Sequence, residues 1–140
     1  MRVLACMMGN EESEAGTLPP PELFEEMGRF NEQLVNAGVL LAADGLRPTS
    51  AGAKVKWTGS GPTVIDGPFT EAKELVAGFW IVEVGSLAEA EEWFKRCPCG
   101  EGAEIQLRPI QELEDLAGAM SPETLELNAR LRNQGASGAE

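Results

Sequence analysis

The chain has 140 residues, of which 43% are hydrophobic and 24% are charged, values typical of one soluble globular domain. Its formal net charge is −12, from 23 acidic and 11 basic residues. Proteins that bind nucleic acids or anionic membranes need a basic surface, so we exclude both as direct partners. No apolar run approaches the ~20 residues of a membrane span. The N-terminus also lacks the long apolar region of a secretory signal, so the expected location is cytoplasmic.

The chain contains three cysteines, Cys6, Cys97 and Cys99, and no histidine. An odd number of cysteines argues against a disulfide framework. The Cys97-Pro98-Cys99 pair has no second pair and no histidine with which to complete four zinc ligands. We therefore predict no metal site and no cofactor. The simplest interpretation of this segment is a helix end followed by a turn, and a reactive thiol pair is the alternative.

The hydrophobic pattern predicts six strands and two helices before the C-terminal tail. Prolines 19–21 suit the first turn of a helix, and Gly38 fits the position just past its end. Asp44–Gly45 is expected to break the second strand, and Ser86–Glu89 forms the capping box that begins the second helix. In chain order, we predict a strand over residues 1–8, a loop over 10–17, a helix over 19–37, strands over 39–43, 53–57, 62–66 and 75–84, a helix over 87–97 and a strand over 103–110.

The order of these elements, β-α-β-β-β-β-α-β, predicts an α+β fold. The third and fourth strands flank Thr58–Gly61 and form an inserted β-hairpin. Without the hairpin, two β-α-β units remain. They give the ferredoxin-like plan, in which two helices cover one face of an antiparallel sheet. The tail adds a helix, because Ser121–Pro122 is a favourable helix start, and residues 135–140 are expected to be disordered.

The strand predicted over residues 75–84 is apolar on both faces. One face carries Phe79 and Ile81, and the other carries Trp80 and Val82. An antiparallel sheet with one solvated face alternates polar and apolar residues, and two helices cover only one side. We therefore predict that a second copy of the chain covers the other face, in a two-fold homodimer.

The stretch Asp66-Gly67-Pro68-Phe69 lies between two predicted strands and has two interpretations. In the first, the Asp66 side chain hydrogen-bonds to the backbone two residues on and starts a turn. In the second, the rigid Gly-Pro turn holds Asp66 in a pocket. Burial there would raise the pKa of its carboxyl group and suit it to proton transfer. The residues alone leave both open.

Several other side chains are candidates for the same site. Asp44 is a second acid at a strand end, and the planar guanidinium of the nearby Arg47 can bind a carboxylate or phosphate. The structural alternatives are a turn for the acid, solvated or ion-paired positions for the cations, and the core or the dimer interface for the aromatic residues. The candidate ligand-binding residues are Asp44, Arg47, Phe69, Lys73, Trp80 and Arg108, and the candidate catalytic residue is Asp66.

The stretch Asp66–Glu74 closely resembles the signature of the DGPF-type branch of the YciI-like, or YCII-related, family. The similarity continues through Gly38–Pro48 and Gly78–Val82. It implies a YciI-like domain over residues 1–113, with a C-terminal helical tail over 114–140. It also implies the ferredoxin-like, dimeric α/β-barrel type of fold.

The resemblance implies a function as well as a fold. In the wider family the suspected active site is a His–Asp pair in a cleft, and Asp66 matches its aspartate, but this chain has no histidine. Branch members are similar to proteins found beside, or fused to, extracytoplasmic-function sigma factors, which implies a regulatory link. We therefore expect a dimeric regulatory protein that binds a small molecule near Asp66. The alternative is an enzyme that acts on a small lactone with Asp66 as general acid or base.

Overall fold

The computed structural model describes residues 1–137, except for the side chains of Lys73, Ala136 and Ser137. None of the helices in this described part is long and apolar enough to cross a membrane. The helices and strands are, in chain order, β1 (Arg2–Met8), α1 (Glu11–Glu14), α2 (Pro21–Asn36), β2 (Leu40–Gly45), β3 (Ala53–Thr58), β4 (Gly61–Asp66), β5 (Val76–Glu83), α3 (Leu87–Phe94), β6 (Ile105–Pro109), α4 (Leu113–Leu116) and α5 (Pro122–Ser137).

Four strands form one sheet in the order β2–β5–β1–β6, and each neighbouring pair is antiparallel. The two β-α-β units interleave, so β5 lies between β1 and β2. This arrangement is the ferredoxin-like α+β fold that the order of elements predicted. The strands β3 and β4 form a separate two-stranded hairpin, as the pattern around Thr58–Gly61 predicted.

The helices α2 and α3 pack on the same face of the sheet, because each presents one apolar stripe. Phe30 of α2 and Phe94 of α3 contact Trp80 of β5 edge to face, with ring centroids 6.2 and 5.3 Å from that of Trp80. The indole Nε1–H of Trp80 donates to Asn31 Oδ1 at 2.8 Å, which satisfies a polar atom at the edge of the core. Val82 lies fully buried in the same cluster.

The opposite face of the sheet is apolar at its centre. Cross-strand pairing places Leu4 beside Ile81 and Cys6 beside Phe79, on the face turned away from α2 and α3. Cys6 is buried, and the other three side chains are half-buried. Both faces of β5 are therefore apolar, as the apolar residues at successive positions of its sequence predicted.

The predicted loop over residues 10–17 is wrong, because it contains the short helix α1. Asn10 Oδ1 accepts the backbone N–H of Ser13 at 2.8 Å, and Ser13 Oγ accepts the backbone N–H of Asn10 at 2.9 Å. These two hydrogen bonds form a reciprocal capping box. The capping box satisfies the free N–H groups at the start of a helix, so one helical turn forms in an otherwise polar segment.

The predicted ends of the helices and strands differ from the observed ends by at most three residues, and the ends of β2 and α3 are two examples. The strand β2 continues through Asp44 and Gly45, which pair with Phe79 and Gly78 of β5. Pairing with a central strand supplies the backbone hydrogen bonds that the local sequence alone does not favour. The helix α3 ends earlier than expected, at Phe94, and a turn continues from it.

The elements described so far belong to one compact unit, Met1–Pro109, and a second compact unit follows it in the chain. Its helix α5 begins where the sequence predicted, since Ser121 Oγ accepts the backbone N–H of Thr124 at 3.2 Å. The helix includes residues 135–137, where disorder was expected, because one glycine weakens a helix by only about 1 kcal/mol. The same expectation for residues 138–140 lies outside the described residues.

Candidate functional site

Three loops meet at one end of the main sheet. The strands β1 and β2 run in the same direction and β5 runs against both, so the ends of β1 and β2 lie beside the start of β5. At this end Met8 pairs with Val76, and Gly45 pairs with Gly78. The loops that leave the sheet here are 9–20, 46–52 and 67–75.

Thr49 connects these three loops through its backbone and its hydroxyl group. Its hydroxyl donates to Glu14 Oε2 at 2.5 Å, and its backbone N–H donates to Glu14 Oε1 at 3.2 Å. Thr49 Oγ1 in turn accepts the backbone N–H of Phe69 at 3.0 Å. All three hydrogen bonds are partly buried. We call Glu14, Thr49 and Phe69 the three-loop junction.

Gly67 is pressed against the loop that carries Thr49. Its backbone N–H donates to the carbonyl oxygen of Gly52 at 2.9 Å. A β-carbon at position 67 would lie 1.7 Å from the carbonyl oxygen of Thr49, so a residue with a side chain cannot occupy this position without moving the backbone. The peptide bond between Gly67 and Pro68 is cis. The turn after β4 is therefore fixed by its backbone contacts with residues 49–52.

The side chain of Asp66 does not help to fix this turn. The side chain is exposed, and its carboxylate forms no hydrogen bond or ion pair with any residue that the structure describes. The turn is held instead by Gly67 and Phe69, which make the contacts given above. Asp66 therefore presents an unused carboxylate on a firmly held backbone.

Asp44 and Arg47 are polar residues near the end of β2. Asp44 is opposite Phe79 on the edge strand β2, and Arg47 is two residues before Thr49 in the chain. Both side chains are exposed, and neither has a hydrogen bond or ion pair with the residues described between 1 and 137. Asp44 and Arg47 thus lie at or just beyond the end of β2, before the Thr49 loop, and Asp66 lies at the end of β4, before the Phe69 loop. We call these three residues the rim around the three-loop junction.

Phe69 and Lys73 lie in the same loop, after the tight turn. The Phe69 side chain is half-buried, and the Lys54 ammonium lies 4.2 Å from the centroid of its ring, a cation–π contact. The backbone of Lys73 belongs to a 3-10 turn over Ala72–Glu74, and its side chain lies outside the described part of the chain. Because Lys54 and Asp66 lie on opposite faces of the hairpin, this contact places the Phe69 ring on the face away from the Asp66 carboxylate.

Trp80 and Arg108 lie away from the rim. Trp80 is buried with Phe30 and Phe94 on the helix-covered face, so its indole belongs to the core. Arg108 lies on β6, the edge strand on the other side of the sheet from β2, and pairs with Leu4 of β1. Its side chain is exposed. Within one chain, therefore, the fold does not bring these two residues together with Asp66.

Glu14 and Thr49 did not stand out in the sequence. They are 35 residues apart, and no local pattern marks a hydrogen bond between two loops. The one available signal is the spacing of Asn10 and Ser13, which is typical of a capping box and predicts a helical turn that fixes Glu14. Thr49 could be recognised only once the chain had folded.

The cysteines and acidic residues do not gather into a metal site. Among the described residues, no group of three or more cysteine, aspartate or glutamate side chains could hold a metal ion. Cys97 is buried and Cys99 is exposed. Burial, together with the neighbouring Cys99, raises the pKa of the Cys97 thiol above its usual range, so Cys97 stays protonated at neutral pH.

The sequence of this chain matches proteins of one family. The family model described as the YCII-related domain matches residues 1–114. An uncharacterized protein of Rhizobium meliloti (strain 1021) is 32% identical over 89 residues, which cover 61% of this chain and 72% of that protein. Since the family model spans most of the sequence, the chain belongs to the family of proteins with a YCII-related domain.

Proposed function

We propose that this chain forms a two-fold homodimer and binds a small polar metabolite at the rim around the three-loop junction. Asp66 is the principal ligand-binding residue. Asp44 and Arg47 supply further polar contacts. The observation that carries this proposal is the unused carboxylate of Asp66 on a turn that other residues hold in place.

The arrangement of Asp66 argues against a purely structural role. An aspartate that builds a turn hydrogen-bonds to the backbone nearby, and Asp66 has no such bond among the described residues. The backbone of the turn is instead fixed through Gly67 and Phe69. A rigid support that presents a free polar group reduces the conformational cost of binding a ligand.

The charges at the rim define the class of ligand. The carboxylates of Asp66 and Asp44 accept hydrogen bonds from hydroxyl or amino groups. The planar guanidinium of Arg47 binds a carboxylate or phosphate in a bidentate manner. The expected ligand is therefore a small molecule that carries hydrogen-bond donors and one anionic group.

The homodimer is supported by the second face of the sheet. This face has an apolar centre, with Leu4 and Ile81 in one row. Asp44 lies on one edge strand and Arg108 on the other. A two-fold axis parallel to the strands would place the Asp44 edge of one copy over the Arg108 edge of the other, so opposite charges would face each other.

A thermal-shift screen tests ligand binding. The panel contains small hydroxy acids, amino acids, lactones and phosphorylated metabolites, and the proteins are the wild type, Asp66→Asn and Glu101→Gln. The control removes one exposed acidic charge from the turn between α3 and β6. We expect at least one compound to raise the melting temperature of the wild type and of Glu101→Gln but not of Asp66→Asn. Equal shifts in all three proteins would contradict the assignment of Asp66.

The molar mass in solution tests the homodimer separately. Sedimentation equilibrium at micromolar concentration is expected to give twice the mass of the 15.0 kDa chain. A monomeric mass at these concentrations would contradict the homodimer and would leave the binding test at Asp66 unaffected.

A further inference from the structure

Three sulfur atoms lie together where the chain leaves α3. Cys97 Sγ is 4.0 Å from Met27 Sδ, although the two residues are 70 positions apart in the chain. Burial raises the pKa of the Cys97 thiol, and the charge of Cys99 and a side-chain hydrogen bond with it raise that pKa further. The two thiols are therefore neighbours. The sequence predicted no metal site from these cysteines, but the fold adds a methionine sulfur to them.

The backbone fixes the position of the cysteine pair. The backbone N–H of Cys97 donates to the carbonyl oxygen of Phe94 at 3.1 Å, so a turn that continues α3 holds this residue. Pro98 restricts the rotation of the backbone between the two cysteines. Cys97 is buried and Cys99 is exposed. The exposed Cys99 therefore gives an ion access to sulfur atoms that the fold has already positioned.

The distance between Cys97 Sγ and Met27 Sδ fits a metal ion bound by three sulfur atoms. A sulfur ligand lies about 2.3 Å from such an ion, and three ligands spaced evenly around it lie ~4.0 Å from one another. The observed separation is 4.0 Å. Thiolate and thioether ligands select the soft ion Cu(I). Zn²⁺ prefers four ligands, and no group of three or more cysteine, aspartate or glutamate side chains in the described part of the chain supplies them.

We propose that Met27, Cys97 and Cys99 form a three-coordinate binding site for Cu(I). A metal ion removes the proton of a thiol that binds it. Each of the two thiols therefore loses its proton to water and forms a copper–sulfur bond, while the Met27 thioether binds through a lone pair. Two protons leave for each ion that binds, the copper stays in the Cu(I) state, and the complex carries one negative charge.

The apolar surroundings of the three sulfur atoms suit such an ion. Cys97 belongs to the buried core cluster that also contains Phe94, and Met27 packs against this cluster. A hydrophobic shell limits the access of solvent to a metal site, so water does not readily replace the sulfur ligands. None of the three residues belongs to the three-loop junction, so this site does not depend on ligand binding at Asp66.

Competition with a coloured chelator measures binding at this site. The probe is Cu(I) bound to ferrozine, and the protein is reduced and kept free of oxygen so that its thiols stay reduced. We expect the folded wild type to withdraw one Cu(I) per chain, seen as a loss of the colour of the chelate. A wild type that withdraws no Cu(I) would overturn the inference.

Two methionine substitutions provide a matched comparison. Met27→Leu removes the thioether sulfur and nearly conserves the volume and apolar character of the side chain. Removing a residue that only orients a metal ligand costs roughly 10–100-fold in affinity, so we expect Met27→Leu to weaken Cu(I) binding at least about tenfold. Met120→Leu removes the sulfur of a half-buried methionine in the second compact unit and should bind Cu(I) like the wild type. Equal affinities of the two variants would rule out Met27 as a ligand and overturn the three-sulfur site.

The urea-unfolded wild type shows whether the fold assembles the site. The unfolded chain exposes all three cysteines but no longer holds Met27 beside Cys97, so we expect its Cu(I) affinity to fall. The same affinity in the folded and the unfolded protein would mean adventitious binding to thiols only, and would overturn the inference. Cys99→Ser, at an exposed position, should lower the affinity of the folded protein at least as much as Met27→Leu, and an unchanged affinity would exclude Cys99 as a ligand.

X-ray absorption at the copper edge identifies the ligands without relying on affinity. In the Cu(I)-loaded wild type we expect three sulfur neighbours at about 2.3 Å, and in Met27→Leu we expect two. Two sulfur neighbours in both proteins, or oxygen and nitrogen neighbours in the wild type, would overturn the proposed site.

Discussion

Asp66 and Gly67 are neighbours in the chain, but they relate to the fold in opposite ways. Gly67 is in contact with the backbone of Thr49, and a β-carbon there would lie 1.7 Å from a carbonyl oxygen. Asp66 has an exposed side chain whose carboxylate has no partner among the side chains and backbone groups that the structure describes. The glycine therefore serves the architecture of the turn, and the aspartate is available for another task.

This contrast predicts unequal effects on stability. Gly67→Ala should lower the free energy of unfolding by about 3 kcal/mol, because the new β-carbon must displace the backbone of residues 49–52. Asp66→Asn should change it by less than about 0.5 kcal/mol, as for other exposed side chains without partners. Urea unfolding followed by circular dichroism measures both. A loss of 1 kcal/mol or more in Asp66→Asn, of the size seen for lost caps, would show that the aspartate builds the turn.

Thr49 is the residue through which the three loops are joined. Thr49→Val keeps the shape of the side chain but removes the hydroxyl that accepts from Phe69 and donates to Glu14. We expect a loss of about 1–3 kcal/mol in the free energy of unfolding, since two partly buried groups lose their partner. Thr49→Ser retains the hydroxyl and should lose less than half as much. Little loss in Thr49→Val together with a larger loss in Thr49→Ser would mean that the methyl group, and not the hydrogen bonds, holds the junction.

The two cysteines after α3 should differ in reactivity. Burial and the neighbouring Cys99 raise the pKa of Cys97, so at pH 8 the Cys97 thiolate is scarce, while Cys99 is exposed. Iodoacetamide should therefore alkylate Cys99 first, as measured by peptide mass spectrometry over time. If Cys97 were alkylated at the same rate in the native and the urea-unfolded protein, the expectation would be contradicted, because protection of Cys97 requires the fold.

At the scale of single elements, the caps explain where helices begin. Ser86 Oγ accepts the backbone N–H of Glu89 at 3.2 Å at the start of α3, and Glu89 Oε2 accepts the N–H of Gly85 at 2.7 Å. Ser86→Ala should therefore cost about 1 kcal/mol in the free energy of unfolding. Ser60→Ala, in the exposed turn of the hairpin, is the control and should be neutral. A neutral Ser86→Ala would show that packing alone fixes the start of α3.

The elements were predictable from the sequence because their signals are local. The proline-led start of α2, the Ser86 cap and the turn around Thr58–Gly61 each depend on residues within a few positions of one another. The contacts that form the candidate site are not local. Glu14 meets Thr49 across 35 residues, and Gly67 meets Thr49 across the whole hairpin. Such contacts follow from the order of strands in the sheet, which no single segment encodes.

At the scale of the whole molecule, the strand order explains why the site lies where it does. Because β1 and β2 both end beside the start of β5, the loops that follow β1 and β2 meet the loop that precedes β5. The sequence placed Asp44 and Asp66 at strand ends, and the loops that follow these two ends contact each other at the three-loop junction. The aromatic residues divide between two roles, since Trp80 belongs to the core and Trp57 is exposed.

We propose that Asp66 binds a ligand and does not build the fold. The most direct test is isothermal titration of the compound that gives the largest thermal shift, using the wild type, Asp66→Asn and Glu101→Gln. We expect Asp66→Asn to weaken the affinity at least about tenfold, the loss expected for one hydrogen bond to a charged group. Glu101→Gln should bind like the wild type. Equal affinity in all three proteins, or no compound that binds the wild type, would show that Asp66 is not a ligand-binding residue.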